Sequence, residues 1–292
     1  MLFHKVRRRI LNKRKVKNMG TGFRTKDGAG VSLVRVLGNQ TVGEFDPILM
    51  LDSFDSTNPN EYTAGFPLHP HRGIETISYL SSGKMVHKDT LSNEDTITDG
   101  EVQWMNAGSG ILHEEKVPAS ERLLGVQLWL NLPSNEKFSK PYYHAVRKED
   151  IEEIDIPSGK IRLLAGSYKS HEGFKGHHLP LDYYDIQLAS GGEITLDTKE
   201  DASIMVFTLI GDISIEGHKV KEKTAAKLTN GDKLTIKNES DFAQVLFISS
   251  RALNEPIAWA GPIVMNSKQE LEEAFNDLET GNFIRNDFTF EK

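Results

Sequence analysis

The chain has 292 residues, of which 38% are hydrophobic and 26% charged, with a formal net charge of −7 and no cysteine. This composition is typical of a soluble globular protein long enough for two domains, and no apolar run approaches the roughly 20 residues of a membrane span. The lack of cysteine excludes disulfides, thiolate metal ligands and cysteine nucleophiles. A metal site could therefore use only imidazole and carboxylate ligands.

The first 18 residues are strongly basic. They hold eight Lys or Arg and no acid, which leaves a net charge of −15 on the rest. This pattern predicts a solvated, disordered tail over residues 1–18, with a localisation or nucleic-acid-binding arm as the alternative. Met19 offers a second start, so the tail need not belong to the native protein. The acidic remainder argues against direct nucleic-acid contact. Since no secretory signal follows, we expect a cytoplasmic protein, with the nucleus open if the chain is eukaryotic.

Seven short segments predict β-strands, because they are rich in β-branched or aromatic residues and are bounded by turn-forming residues. They are Val31 to Leu37, Thr76 to Leu80, Gln127 to Leu132, Ile161 to Leu164, Ile204 to Ile210, Leu234 to Ile236 and Val245 to Ile248. Many short strands at close spacing favour a β-sandwich or β-barrel. The sequence therefore predicts an all-β fold.

One segment near the C-terminal end predicts an α-helix. Ser267 is a good N-cap with Glu270 as its capping-box partner, and apolar residues recur at helical spacing up to Gly281. We expect this helix to span about residues 267–280.

An internal repeat relates the two halves of the chain. ISYLSSGKMV around Gly83 is followed by DGEVQWMNAG from Asp99, and VFTLIGDISI around Gly211 is followed by NGDKLTIKN from Asn230. Each half thus has a strand, a glycine turn, a strand and a later turn into another strand. The repeat predicts a duplicated β-barrel, with the charged run RKEDIEEIDIPSG as the linker between the copies.

The string FPLHPHRGIET contains two histidines, His69 and His71, separated by one residue. In a strand their side chains point to the same side, as two ligands of one metal require. Two histidines near a proline also occur by chance, so the pair alone is a weak signal.

A second cluster, HEE at 113–115, strengthens the metal hypothesis. In an extended segment Glu115 shares a face with His113, whereas Glu114 points away. Two such pairs would supply three imidazoles and one carboxylate and leave open positions on an octahedral ion. Glu75 competes for the carboxylate position, since it has the parity of His71; its alternative role is to accept a hydrogen bond from a ligand.

The second half of the chain lacks these residues. The positions that lie 13 and 15 residues past Gly231, as His113 and Glu115 lie past Gly100, are Gln244 and Leu246. We therefore expect a metal-binding domain over residues 19–150 and a domain without metal ligands over residues 151–292. Outside the two clusters, His87 is predicted to be a satisfied structural histidine.

The strings HPHRGIETISYL, QWMNAGSGILHEE and QLWLNLP, with DPILMLDSF and GPIVMN, resemble the pirin family of the cupin superfamily. The resemblance covers nearly all of residues 20–285. It implies a bicupin fold, which consists of two tandem cupin β-barrels (double-stranded β-helices) with the C-terminal helix packed back on them. The basic extension before Met19 is not part of the family pattern.

The resemblance also implies one divalent metal ion in the first barrel, usually iron(II), bound by His69, His71, His113 and Glu115. Manganese, nickel, copper, zinc and cobalt use similar ligands. Many other cupins take their carboxylate from the first motif, so Glu75 stays the alternative.

Two classes of function are implied by the family. Some members are quercetin 2,3-dioxygenases, which act on a small flavonol and dioxygen and release carbon monoxide. In such an enzyme the metal binds the flavonol 3-hydroxyl, and we expect Glu115 to take its proton, with Glu75 or Glu114 as alternatives. Other members are non-enzymatic, iron-dependent partners of transcription regulators, for which the metal is a redox-sensitive switch. The enzyme hypothesis is preferred. The alternative is a non-enzymatic protein that binds a protein partner.

Overall fold

The computed structural model of the chain describes residues 12–285. Runs of Val, Ile, Leu and aromatic residues between glycine and proline turns produce an almost entirely β architecture. The first-half strands are β1 (Val16–Gly20), β2 (Phe23–Asp27), β3 (Val31–Leu37), β4 (Ile48–Ser56), β5 (Phe66–His71), β6 (Ile74–Ser82), β7 (Met85–Asp89), β8 (Glu94–Ile97), β9 (Val102–Asn106), β10 (Ile111–Lys116), β11 (Leu123–Asn131) and β12 (Tyr142–Val146).

The second-half strands are β13 (Glu152–Ile156), β14 (Gly159–Ala165), β15 (Ser167–Tyr168), β16 (His171–Glu172), β17 (Asp182–Ala189), β18 (Glu193–Asp197), β19 (Ser203–Ile210), β20 (Ile213–Ile215), β21 (His218–Val220), β22 (Ala225–Leu228), β23 (Lys233–Asn238), β24 (Phe242–Ser250), β25 (Ala258–Ala260) and β26 (Ile263–Met265). The helices are α1 (Val42–Phe45) and α2 (Lys268–Thr280), and single 3₁₀ turns lie at Asn39–Thr41, Pro59–Glu61, Ser134–Glu136 and Lys148–Asp150. All seven segments predicted as strands lie in strands, except that Leu132 is one residue past the end of β11.

Helix α2 begins after Ser267, whose side chain accepts a hydrogen bond from the backbone N–H of Glu270 at 3.2 Å. The Glu270 carboxylate accepts from the backbone N–H of Asn266 instead of that of Ser267. The helix ends at Gly281, which has a positive φ of 77°. Within residues 12–285, no helix has the length and apolar character needed to cross a membrane.

The described chain forms two barrels, each from a seven-stranded and a four-stranded antiparallel sheet. The first barrel has the strand orders β12-β9-β6-β11-β4-β3-β2 and β5-β10-β7-β8. The second has the orders β1-β22-β19-β24-β17-β14-β13 and β18-β23-β20-β21. The orders match strand by strand, so the two barrels share one design, and the chain is a bicupin.

The apolar faces explain how the barrels fill and how they meet. Inside the second barrel, buried aliphatic side chains of both sheets form one cluster, which includes Leu234 and Ile236. The outer faces of the two large sheets pack on each other through a further cluster, in which Trp104 and Tyr79 of the first barrel lie with Tyr183 of the second. The large sheet of the second barrel is therefore apolar on both faces, as its nearly continuous hydrophobic sequences require.

The matching strand orders correct one detail of the sequence repeat. Gly83 and Gly211 occupy equivalent turns, but Gly100 precedes β9 whereas Gly231 follows β22, the counterpart of β9. The counterpart of β10 is therefore β23, not the strand that contains Gln244. The inward side chains of β23 are apolar, so β23 offers no counterpart of His113 or Glu115. The prediction that the second barrel lacks these residues therefore holds, but it follows from β23 and not from Gln244 and Leu246.

The described part of the basic N-terminal segment is not a free tail. Strand β1 pairs with β22 at the edge of the second barrel, in the position that β12 takes in the first. Arg14 is fully buried and donates to five oxygen atoms of residues 198–202 and 229. Residues 12–18, which the charge pattern assigns to a tail, are thus part of the second barrel; residues 1–11 lie outside the described residues.

The predicted linker is shorter than its charge pattern indicates. Residues 152–156 form β13, which pairs with β14 in the second barrel. Beyond the second barrel, the hairpin β25–β26 and helix α2 return to the first barrel, where Met265 and Ala274 cluster with Leu112. Each end of the chain therefore packs on the barrel that the other half builds. Strand β1 joins the second barrel, and hairpin β25–β26 with helix α2 packs on the first.

Candidate metal centre

Strand β5 carries His69 and His71 on one side, because they are two residues apart in an extended segment. The strand also contains Pro67 and Pro70, which it accommodates because it lies at the edge of the four-stranded sheet. Its neighbour β10 places His113 directly opposite His69. The register of these two strands brings three imidazoles together.

The three imidazoles form one compact cluster. The ring centroids are 4.8 Å apart for His69 and His71, 4.4 Å for His69 and His113, and 5.1 Å for His71 and His113. One nitrogen from each ring lies within 4.8 Å of the other two. Among the residues that the structure describes, no other three His, Asp or Glu side chains approach in this way.

Hydrogen bonds decide which nitrogen of each ring is available. The Nδ1 atom of His69 is 2.8 Å from the carbonyl oxygen of Pro67, and that of His71 is 3.1 Å from the carbonyl oxygen of Pro262. A carbonyl oxygen only accepts, so both Nδ1 atoms carry hydrogen and both Nε2 atoms keep a lone pair. The Nε2 atom of His113 is buried and has no hydrogen-bond partner within residues 12–285. Three Nε2 atoms therefore fit a metal ion.

Burial keeps two of the imidazoles neutral. Removal from water, together with the neighbouring His69, lowers the pKa of His71 to about 3. The same cause, with His71 as a neighbour, lowers the pKa of His113 well below its ordinary value. Neutral imidazole is the form that binds metals, so neither ring must lose a proton at neutral pH before it binds a cation.

Two residues of strand β7 lie behind His113. The Nδ1 atom of His87 is 3.3 Å from the Nδ1 atom of His113, and its Nε2 atom is 2.8 Å from Oδ2 of Asp89. His87 is buried and satisfied, as expected of a structural histidine, but one of its partners is a candidate ligand. The sequence signal is the H-x-D spacing of 87–89, which places both side chains on the same face of the strand.

Glu115 is buried on the same face of β10 as His113, and Glu114 is on the other, partly exposed face. The Glu115 carboxylate does not join the imidazole cluster. It accepts a hydrogen bond of 2.7 Å from Nε2 of Gln103 and two of 3.3 and 3.1 Å from Nε2 of Gln127. Two amides therefore hold this carboxylate inside the first barrel, and sequence reasoning did not identify them.

Glu75 does not lie beside the imidazole cluster. Its carboxylate accepts hydrogen bonds from Trp104 at 3.1 Å and from Tyr142 at 2.8 Å. The Tyr142 ring stacks on His177 of the second half of the chain. Glu75 and His71 are an even number of residues apart, but their side chains do not share a face. Gly73 adopts a positive φ of 79° between β5 and β6, and the two strands belong to different sheets.

A cavity of about 500 Å³ opens beside the imidazoles. It is lined by His69, His71 and Gln127, and by three further aromatic side chains, Phe66, Trp129 and Trp259. The Trp129 ring lies edge-on to His71 at 5.0 Å and packs on Trp259 at 5.8 Å. Such a concave, partly aromatic space beside a few polar groups is typical of small-molecule sites.

Two charged side chains of the cavity wall, Arg35 and Asp27, form an ion pair with each other. Arg35 donates to Asp52 through Nε at 3.0 Å and Nη2 at 2.8 Å, and to Asp27 through Nη2 at 2.6 Å. Burial raises the pKa of Asp52 to about 6, although Arg35 opposes the rise. The charge of Arg35 is thus largely balanced by its own neighbours.

Comparisons with known proteins agree with the fold. The pirin family matches residues 30–130, and the pirin C-terminal cupin domain matches residues 183–284. A Pseudomonas aeruginosa protein named "Putative quercetin 2,3-dioxygenase" is 37% identical over 278 residues, which are 92% of this chain and 97% of that protein. Human pirin is 31% identical over 86% of this chain and 88% of its own length.

A solved structure shows the same architecture. The crystal structure of quercetin 2,3-dioxygenase from Acinetobacter baumannii superposes with a TM-score of 0.84 and 32% identity, and the match covers 93% of this chain and 98% of that one. The two barrels, the placement of the histidine cluster in the first barrel and these matches over nearly the full length lead to one conclusion. The chain belongs to the pirin family of bicupins.

Proposed function

We propose that this chain is a metal-dependent dioxygenase that opens the central ring of flavonols such as quercetin and releases carbon monoxide. The observation that carries the proposal is the set of three histidine side chains with free Nε2 atoms beside a cavity with aromatic walls. The cavity volume of about 500 Å³ lies within the range of roughly 300–1,000 Å³ that is usual for small-molecule sites. The names of the Pseudomonas and Acinetobacter relatives support the same activity.

The proposed ion is iron(II), held by Nε2 of His69, His71 and His113 and by a carboxylate oxygen of Glu115. Manganese, nickel, copper, zinc and cobalt suit the same nitrogen and oxygen donors, so the choice of iron depends on the family resemblance. Glu115 would give up part of its hydrogen bonding to Gln103 and Gln127 to reach the ion. When bound, a divalent ion acts as a Lewis acid that lowers the pKa of a substrate hydroxyl.

The protein contributes orientation and a proton acceptor. Trp129 and Trp259 offer flat apolar surfaces on which a flavonol ring can stack. The buried Glu115 carboxylate would take the proton of the substrate 3-hydroxyl, and the Gln127 amide, which also lines the cavity, would stabilise the carboxylate before that transfer. Dioxygen is the second substrate.

The first test is metal content. After anaerobic reconstitution of the full chain with iron(II), we expect about one ion per chain, as one set of four ligands requires. His71→Ala should lose the ion, whereas His218→Ala should keep it, because His218 is exposed on the second barrel. A well-folded wild-type protein that binds no iron would contradict the proposal.

The second test is turnover. Wild-type protein loaded with iron should consume quercetin in air and release carbon monoxide in equal amount, and His71→Ala should not. If the loaded wild-type protein binds iron but leaves quercetin unchanged, the dioxygenase proposal is wrong. That result would favour the alternative of a non-enzymatic, metal-dependent interaction protein.

A further inference from the structure

We propose that His87 and Asp89 are positioning residues, which hold the His113 ring in the one tautomer that presents a free Nε2 atom to a metal ion. The inference rests on the metal site proposed above, but it does not depend on the identity of the metal or on a flavonol being the substrate. It assigns a role to two buried side chains that lie outside the set of ligands.

The three side chains form a continuous chain of hydrogen bonds on neighbouring strands. Strands β7 and β10 pair so that His113 lies opposite Asp89. Oδ2 of Asp89 is 2.8 Å from Nε2 of His87, and Nδ1 of His87 is 3.3 Å from Nδ1 of His113. All three side chains are buried, so each polar atom depends on its partner within the protein.

Asp89 sets the direction of this chain because it acts as an acceptor. Its Oδ1 atom accepts from the backbone N–H groups of Leu91 at 2.8 Å and Asn93 at 3.1 Å, and its Oδ2 atom accepts from the Asn93 side chain at 2.9 Å. The backbone donors cannot be reversed. The remaining acceptor capacity of Oδ2 therefore receives a hydrogen from Nε2 of His87.

The tautomer of His113 follows from that direction. When Nε2 of a neutral His87 carries the hydrogen, its Nδ1 atom is an acceptor. The facing Nδ1 atom of His113 must then donate, which leaves the lone pair of His113 on Nε2. This is the His113 atom that is buried without a hydrogen-bond partner among the described residues, so the chain of hydrogen bonds ends at the metal site.

The His87 ring is itself held in place. The Tyr143 ring from strand β12 stacks on it with a centroid distance of 4.2 Å and an angle of 14° between the planes. If the ring turned its Nε2 atom toward His113, it would lose the hydrogen bond to Asp89. Partners of this kind that orient metal ligands typically change metal affinity by about 10–100-fold when they are removed.

The test separates hydrogen-bond acceptance from packing. His87→Leu fills space but accepts nothing, so we expect metal affinity to fall about 10–100-fold. His87→Gln can accept from His113 through its amide oxygen and should stay within a few-fold of wild type. His218→Gln, an exposed control on the second barrel, should bind as wild type does. Affinities for cobalt(II) and nickel(II) would be measured on the full metal-free chain by competition with a chromogenic chelator.

Asp89→Asn is a more specific test, since it should reverse the direction in which hydrogen is donated between Asp89, His87 and His113. The backbone N–H groups of Leu91 and Asn93 keep the amide oxygen on their side, which turns the amide NH₂ toward His87. Nε2 of His87 must then accept, its Nδ1 carries the hydrogen, and His113 is driven to the tautomer with hydrogen on Nε2. Metal affinity should fall as far as in His87→Leu, and in the His87→Gln background the Asp89→Asn change should cost much less.

A spectroscopic measurement reports the tautomer directly. Long-range ¹H–¹⁵N spectra of the metal-free protein with labelled histidine should show hydrogen on Nδ1 of His113 in the wild type and on Nε2 in Asp89→Asn. Unchanged spectra and affinities in Asp89→Asn, or an equal loss in His87→Gln and His87→Leu, would overturn the inference. Wild-type protein that binds no metal would refute the proposed site instead, and metal binding without quercetin turnover would refute only the proposed reaction.

Discussion

The Nδ1 atom of His71 lies 3.1 Å from the carbonyl oxygen of Pro262, which comes 191 residues later in the chain. The hairpin β25–β26 that contains Pro262 follows the second barrel but packs on the first, where Trp259 contacts Trp129 at the cavity wall. The end of the chain therefore orients a candidate ligand and forms part of the cavity. Changes in the docking of this hairpin are expected to change metal binding as well as stability.

Gly73→Ala tests this coupling. Gly73 adopts a φ of 79°, and a Cβ atom there would lie 2.0 Å from the carbonyl oxygen of Val264 in the hairpin. Because the contact is with backbone, the hairpin must move, and we expect a loss of more than about 3 kcal/mol in the free energy of unfolding. Metal affinity should fall with it. Urea denaturation and metal titration measure the two effects.

Gly261→Ala is the matched control. Gly261 has a similar positive φ of 54°, but a Cβ atom there would meet no described residue within 4 Å apart from its two chain neighbours. It should therefore show only the backbone cost of about 1–2 kcal/mol. Equal losses in the two variants would mean that hairpin docking does not depend on the close approach at Gly73.

Arg72→Met tests the attachment of helix α2 to the first barrel. The buried Arg72 guanidinium donates to Asp277 at 2.7 Å and to the carbonyl oxygen of Phe283 at 2.9 Å, and it lies 4.2 Å from the centre of the Phe283 ring. Its loss should cost about 2–3 kcal/mol, since hydrogen bonds to a charged group disappear while Asp277 stays partly solvated. Thermal and urea denaturation measure the change.

Arg285→Met provides the comparison for that variant. Arg285 is 45% exposed, its nearest contact with Asp277 is 3.9 Å, and its guanidinium lies 4.6 Å from the centre of the Phe138 ring. Its replacement should therefore change the free energy of unfolding by less than about 1 kcal/mol. If Arg285→Met destabilised the protein as much as Arg72→Met, the burial of Arg72 would not explain its contribution.

The sequence predicts the strands, and the shared face of the residues within each histidine motif, because both depend on local signals. The period of two in HPH and HEE is enough to place His69 with His71 and His113 with Glu115. Arg14 shows what local signals miss. A basic run predicts a solvated segment, and nothing near Arg14 in the sequence indicates that oxygen atoms from residues 198–202 and 229 surround its guanidinium.

Glu75 shows a second limit of sequence reasoning. Parity holds only within one strand, and the sequence does not reveal that the chain changes sheets at Gly73. His87 shows the same limit for a contact that the sequence does not reveal. Its neighbour His113 is 26 residues away, and only strand pairing brings the two together. Pairing between strands, rather than strand propensity, is the information that a single sequence lacks.

Three glutamates lie near the histidine motifs in the sequence, and we expect their replacement to have different effects on metal affinity. Glu115→Gln should weaken the binding of iron(II) or cobalt(II) at least about tenfold, because a proposed ligand is lost. Glu114→Gln should change it less than about twofold, since Glu114 points out of the barrel toward Lys116. Glu75→Gln should also leave it unchanged, as Glu75 bonds to Trp104 and Tyr142. Isothermal titration measures all three, and a larger loss in Glu75→Gln than in Glu115→Gln would reassign the fourth ligand.

Glu75 should instead affect stability as a function of pH. Burial raises its pKa to about 7, although hydrogen bonds from Tyr142 and Trp104 oppose the rise. One of its oxygen atoms, Oε2, is buried without a hydrogen-bond partner in the described chain. The folded protein thus favours the protonated form, and ionisation of Glu75 destabilises it.

Because the folded pKa is raised, the stabilising contribution of Glu75 is fully present below about pH 4.5 and is lost as the pH rises through about 7. The difference corresponds to about 3 kcal/mol. Glu75→Gln keeps an acceptor for Tyr142 and removes the charge, so it should gain up to about 3 kcal/mol over wild type at pH 8 and much less at pH 5. Urea denaturation of both metal-free proteins measures this difference, which cancels the titration of the histidines common to both. A difference that does not change between pH 5 and pH 8 would show that Glu75 titrates near its ordinary pKa and that Tyr142 and Trp104 offset its burial completely.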